Sequence, residues 1–357
     1  MRRESRNPIR PRRHALHWVL PLVAWLPALG ILASVPTEPV PETPPSVRPF
    51  SFIAIGCMPY ARLPDADANY GRVLDEIDRH APVFAVHLGD ILGGEELCTD
   101  ELLARRLREF DSVATALVFT PGDNEWTDVH RTQKHQPLER LARIREVFFA
   151  AESSRGARPI PLITQRRSPR HARFVENARW THGRVVFVTL HVVGSGNNHQ
   201  PAVPGALDEW RERDEANVAW LREGFAVARA TEAAGVALFF QANPIRGHPG
   251  FRRFLETLAA ESVAFGKPVL LVHADDHKYR LEPGFRPVED GPPTPKLTLL
   301  GTFGASDFHG VQVTVDPSSE AVFLPGPLLV PGNPLPRLPR PAPSAPGTPN
   351  VPKQPKP

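Results

Sequence analysis

Cysteine is scarce in this chain, with two in 357 residues, too few for a disulfide scaffold or a Cys-rich zinc module. Charge of one sign is scarce as well. Lys and Arg number 42 against 39 Asp and Glu, a formal net charge of +3, and that balance argues against a dedicated nucleic-acid binder. Much of the positive excess sits at the start, in Arg2, Arg3, Arg6, Arg10, Arg12 and Arg13, which leaves the remainder close to neutral. No internal repeat is visible. What the chain does have is 41% hydrophobic residues, enough for one large domain or two small ones. It also has 42 prolines, concentrated at its two ends.

The Arg-rich start runs into an apolar stretch from Ala15 to Val35, interrupted by Pro21 and Pro27. A basic flank before about 20 apolar residues reads as an export signal or a single membrane anchor, so residues 1–35 are expected to place the mature protein outside the cytoplasm, released or tethered to the membrane. Residues 36–49 form a Pro-rich linker, and 325–357 a Pro-rich tail expected to be disordered or extended. The folded domain is therefore expected over 50–324.

Within it, short apolar runs alternate with helical patterns. Strands are predicted at 50–55, 83–88, 116–120, 185–191, 236–241, 269–273, 297–302 and 311–315. Helices are predicted at 67–79, around Leu103–Phe110, and near 137–149, 214–230 and 250–264. The alternation argues for an α/β fold with parallel strands. Strand after strand ends in a polar group: Cys57, Asp90, Asp123 with Asn124, Asn197 with Asn198, Gln241 with Asn243, and Asp275 with His277. One such residue is ordinarily a turn former or helix cap. Six in succession point to a crevice at the C-terminal strand ends, where carboxylate and amide oxygens suit a hard divalent cation.

Gly89-Asp90, Gly122-Asp123-Asn124-Glu125, Gln241 and Ala274-Asp275-Asp276-His277 resemble the ordered motifs of calcineurin-like metallophosphoesterases. HLGDILGG, TPGDNEWTD and VVGSGNN look more specifically like an exported bacterial branch whose first motif is GD-x-PY, here Gly56-Cys57-Met58-Pro59-Tyr60. The resemblance covers about 52–316. It implies a central β-sandwich flanked by helices in four αββα layers, and hydrolysis of a phosphate ester assisted by two cations. It also implies roles. Asp90 would bridge the cations, Asn124 would ligate the second, Gln241 stands where the family often has His, Asp275 replaces the first His of GHxH, and His277 matches the second.

The departures define the expected chemistry. Cys57 stands where the first motif carries Asp, so one site would hold Cys57, Asp90 and His277, a set that favours zinc. The other would hold Asp90, Asn124, Gln241 and Asp275, an all-oxygen set that favours Mg²⁺, Mn²⁺ or Ca²⁺. Glu125 replaces the His that often protonates the leaving group, a role that needs a raised pKa. Two readings follow: an exported metal-dependent phosphoesterase with an atypical, mononuclear or binuclear site, or a catalytically impaired homologue that binds a phosphorylated ligand or partner protein in the same crevice. The expected substrate is a phosphorylated small molecule or a lipid-like phosphate. Asn197 and Asn198 either donate to a substrate phosphate or form a Gly-rich turn. The basic run Arg166–Arg173 either captures an anion or is a solvated face. His87 reads as a core residue and His248 as part of a cap. Cys57 and Cys98 either pair in an oxidising compartment or stay free. The resemblance favours a free Cys98, because its family partner position is Val129.

Overall fold

The computed structural model describes residues 48–132 and 135–336. The N-terminal signal or anchor, nearly all of the linker, and the tail beyond 336 lie outside the described residues. Among the described residues no helix is long and apolar enough to cross a membrane.

Period-two alternation builds the first layer. In β1 (Phe50–Ile55), Phe52 and Ala54 face one way and Ile53 and Ile55 the other, as a strand buried on both faces requires. Around it lie α1 (Ala66–His80), β2 (Phe84–His87), α2 (Asp100–Ser112), β3 (Leu117–Phe119) and α3 (Pro137–Phe148). Next come β4 (Ile163–Thr164), β5 (Ala178–His182), β6 (Val185–Thr189), the one-turn α4 (Gly194–Asn197), α5 (Ala206–Ala230), β7 (Gly235–Phe239) and α6 (Pro249–Phe265). The chain ends in β8 (Val269–His273), β9 (Arg280–Pro283), β10 (Leu297–Gly301), β11 (Gly310–Val315) and β12 (Phe323–Leu328).

These strands form two sheets, ordered β12-β11-β1-β2-β3 and β4-β5-β6-β7-β8-β10-β9. Between them, Phe52, Phe84, Trp180, Phe187 and Phe239 stack edge and face. Each such ring removed from water contributes on the order of 2–3 kcal/mol. Outside the first sheet, Tyr70, Val73, Leu74 and Ile77 of α1, Leu103 and Phe110 of α2 and Ile144 and Phe148 of α3 cover Ile53, Ile55 and Phe119. Outside the second, Leu221 and Phe225 of α5 and Phe254 and Leu258 of α6 cover Val186, Val188, Leu238 and Leu271. The result is the expected αββα layering.

Three expectations are corrected. The sheets are mixed: β1-β2-β3 and β6-β7-β8-β10 run parallel, but β11, β12, β9, β5 and β4 pair antiparallel with their neighbours. Helix α5 begins at Ala206, eight residues before the predicted start, because its first two turns pack polar residues such as Glu209 and Arg213 inward. The folded region also continues past 324. Pro325 and Pro327 lie in β12 opposite Val313 and Val311, and an edge strand tolerates proline where its nitrogen faces away from the ladder.

Candidate metal centre

Every strand that feeds the crevice does so from its C-terminal end. Cys57 follows β1, Asp90 follows β2, Asp123 and Asn124 follow β3, Ser195 follows β6, Gln241 follows β7, and Asp275 and His277 follow β8. Two glycines let the β2 and β3 loops touch. A Cβ on Gly89, which has φ +77°, would lie 2.2 Å from the Gly122 nitrogen, and one on Gly122 would lie 2.1 Å from Asp90 Oδ1. Only bare backbone fits at either place. Glu125 closes the junction from behind, where Oε1 accepts from the Gly122 N–H at 2.7 Å and the Asp90 N–H at 3.2 Å.

Asp90 is the hub. Its Oδ1 accepts from the Asn124 N–H at 3.1 Å. Its Oδ2 accepts from Cys57 Sγ at 3.4 Å, Tyr60 OH at 3.2 Å and Gln241 Nε2 at 3.1 Å. Two donor groups meet at it: Cys57, Asp90 and His277 on one side, and Asp90, Asp123 and Asp275 on the other, each with its ligand atoms within 4.8 Å of one another. Tyr60 links the first group, lying 3.3 Å from His277 Nε2 and accepting from Asn124 Nδ2 at 3.2 Å. Gln241 links the second by donating to Asp275 Oδ1 at 3.1 Å as well. The Asn243 N–H holds the other Asp275 oxygen at 3.1 Å.

The electrostatics call for positive charge. Burial pushes the Asp90 carboxyl well above the usual carboxylate range, and repulsion from Asp123, Glu125 and Asp275 adds to it. Asp123 is raised by burial and by Asp275, and Asp275 chiefly by burial. Burial, then Asp90, raises the Cys57 thiol. Burial and then Arg62 lower His277, which leaves its imidazole neutral and able to ligate. Asp123 Oδ1 is buried without a hydrogen-bond partner among the described residues. Crowded carboxylates with an unused oxygen, beside a thiol and a neutral imidazole, fit divalent cations by number and type of donor.

The predicted residues divide into three sets. Cys57, Asp90, Asp275 and His277 converge. Asn124 and Gln241 join them as hydrogen-bond donors: Gln241 Oε1 accepts the Gly194 N–H at 2.6 Å, which turns its nitrogen toward the acids, and Asn124 Nδ2 donates to Tyr60 and to the Leu92 carbonyl. Glu125, Asn197 and Asn198 lie elsewhere. Glu125 is sealed behind Asp90 with its pKa raised to about 7 by burial. Asn197 is spent on the Val193 N–H, the Gly250 carbonyl and Arg213, and Asn198 on Glu209.

Sequence reasoning placed Asp123 at a strand end and Tyr60 in the first motif without giving either a role, and it passed over Asp128 and Ser195. The Ser195 hydroxyl lies 2.8 Å from Asp123 Oδ2 and 2.7 Å from Asp128 Oδ1. The signal for Asp123 was present, since it is the Asp of Gly122-Asp123 and repeats the Gly89-Asp90 arrangement one strand over. Of the remaining candidates, His87 is a core residue whose Nε2 lies 3.2 Å from the Met58 carbonyl, and His248 caps α6 through Gly250. Arg166 and Arg167 are engaged locally, with the Phe149 carbonyl and Glu152. Both cysteines are free and buried.

No protein-family model matches the chain, and no curated protein matches it in sequence. Solved structures similar to it include a dimetal phosphatase from Danio rerio, with 12% identity, TM-score 0.49, and 80% of this chain and 99% of that one covered. PhoD is similar with 14% identity, TM-score 0.49, and 76% and 65% covered. A 5′-nucleotidase from Candida albicans has 10% identity, TM-score 0.39, and 78% and 51% covered. The chain thus spans about two thirds of PhoD and about half of the nucleotidase.

Proposed function

We propose that this protein is a metal-dependent phosphoesterase whose crevice takes two unlike divalent cations bridged by Asp90. The observation that carries this reading is the position of Asp90, common to both donor groups. The sulfur, oxygen and nitrogen of Cys57, Asp90 and His277 suit zinc, whereas the carboxylates of Asp90, Asp123 and Asp275 suit Mg²⁺ or Mn²⁺. Bound there, such a pair supplies a nucleophile at neutral pH and charge to balance the phosphoryl oxygens. The chain's own groups orient the site. Gln241 donates to Asp90 and Asp275 together, and Tyr60 sets Asp90 and His277 at a fixed separation. Glu125 faces backbone N–H groups, so a leaving group would take its proton from elsewhere.

The Arg-rich start and the apolar run over 15–35 support an extracytoplasmic location, and the proposed cation pair suits a phosphorylated small molecule or lipid-like phosphate as substrate. One observation favours the impaired homologue: Gln241 Nε2 already bridges two of the acids, a task that a cation would otherwise perform. Elemental analysis of the purified protein, with p-nitrophenyl phosphate turnover, separates the readings. Two metals per chain with turnover, both abolished by D90N, are expected. A metal-free native protein that stays inert after incubation with Zn²⁺ and Mn²⁺ would overturn the proposal.

A further inference from the structure

The acidic floor leaves part of a substrate phosphate to be bound from the rim, where one guanidinium is held in a defined orientation. Arg131 is the penultimate residue of the helical turn Thr127–Thr132 that follows the Asp123 loop. Its Nη1 lies 2.5 Å from Asp128 Oδ2, and its Nη2 donates to Ser195 Oγ at 3.1 Å. Ser195 Oγ in turn lies 2.8 Å from Asp123, so one hydroxyl separates the guanidinium from the floor. These contacts occupy two of its five N–H groups, and the side chain remains 52% exposed. Gly94 packs closely against both Asn124 and Arg131: a Cβ there would stand 2.8 Å from Asn124 Oδ1 and 3.7 Å from Arg131 Nη1. Asn124 and Arg131 therefore both stand against Gly94, and Asn124 in turn donates its backbone N–H to Asp90 Oδ1 at 3.1 Å.

We propose that Arg131, steadied by Asp128 and Ser195, binds a terminal oxygen of the substrate phosphate and makes the crevice selective for phosphate monoesters over diesters. The inference rests on the two-cation reading and deepens it. A monoester has three terminal oxygens. Two suffice for the paired cations, and the third is left for a guanidinium donor. A diester has two terminal oxygens, both of them used on the floor, so it offers Arg131 nothing to bind. Arginine suits the task because its planar fork keeps charge and direction together when two of its N–H groups are already engaged.

The test compares native protein with R131Q and R131K, each loaded with Zn²⁺ and Mn²⁺ and assayed for metal content. Turnover is measured on p-nitrophenyl phosphate and bis-p-nitrophenyl phosphate, and affinity by calorimetry with methyl phosphate and dimethyl phosphate. Losing one charge-assisted hydrogen bond costs roughly 10- to 100-fold. R131Q is therefore expected to lose that factor in kcat/KM and affinity for the monoesters, to change less than about 3-fold for the diesters, and to keep its metals. R131K is expected to fall between, and it carries the test if R131Q does not fold. Equal losses for monoester and diester, or no loss for either, would overturn the inference while the metal site stands. A native protein that takes up no metal would instead bring down the reading beneath it. The calorimetric comparison remains decisive for a protein that binds metal without turnover.

Discussion

Glu125 offers a quantitative handle on the crevice from behind. Burial raises its pKa from 4.5 to about 7, although the Gly122 N–H works against the shift. The folded, metal-free protein therefore keeps this proton to higher pH than the unfolded chain does. Stability from this group is full below about pH 4.5, declines as pH rises toward about 7, and is level above. At ~1.4 kcal/mol per pH unit, the interval corresponds to about 3 kcal/mol of unfolding free energy. E125Q keeps an acceptor for the Gly122 and Asp90 N–H groups but cannot ionise. Its amide nitrogen would fall where Glu125 Oε2 has no partner among the described residues, a cost of roughly 1–3 kcal/mol that does not depend on pH. E125Q should then be the less stable protein at pH 4.5, and should gain about 3 kcal/mol on native protein by pH 8. Urea unfolding in EDTA, followed by tryptophan fluorescence at four pH values between those limits, measures the difference. Curves that run parallel to within about 0.5 kcal/mol would refute the buried-acid account of this loop.

Asp123 carries the third carboxylate of the all-oxygen group, so D123N should lower bound Mn²⁺ from one per chain to near zero and cut turnover at least ~100-fold, as read by elemental analysis and p-nitrophenyl phosphate hydrolysis. C57S replaces sulfur by a harder oxygen; competition dialysis should show zinc preference over Mn²⁺ reduced about tenfold or more, with folding unchanged. Beneath the crevice, burial pushes Glu176 up, but Arg145 and His191 together outweigh it and hold its carboxyl well below the usual range. That depressed pKa adds stability above about pH 4.5, which is lost as the carboxyl protonates. E176A strands the partly buried Arg145 and the buried His191 and should cost about 2–4 kcal/mol at pH 7 by urea denaturation, with a smaller loss near pH 3.

Much of this arrangement was legible before any coordinates. Apolar runs ending in Asp, Gln or His located the strand ends of both sheets, because a buried strand must be apolar to its last residue and the loop after it is free to be polar. The side chain that each loop turns inward was not legible. Asp123 and Asn124 are adjacent, and nothing in their order says that the carboxylate, and not the amide oxygen, joins Asp90 and Asp275. Gln241 read as an oxygen ligand, yet a single N–H from Gly194, 47 residues away, rotates its nitrogen into the acids. Asn197 and Asn198 looked available because Arg213 and Glu209, which engage them, lie in a stretch whose helical pattern is masked by inward-facing charge. Strand β9 and strand β12 escaped notice for a related reason: Arg280–Pro283 has no apolar alternation, and two prolines in six residues contradict ordinary strand composition.

Those two prolines have a consequence for the molecule in solution. Pro325 and Pro327 are two residues apart and so share one side of β12; with neither able to donate from there, the outer margin of the five-stranded sheet offers no N–H at two successive rungs. An incoming chain cannot zip onto it, and concentrated protein is guarded on that margin against strand-by-strand polymerisation.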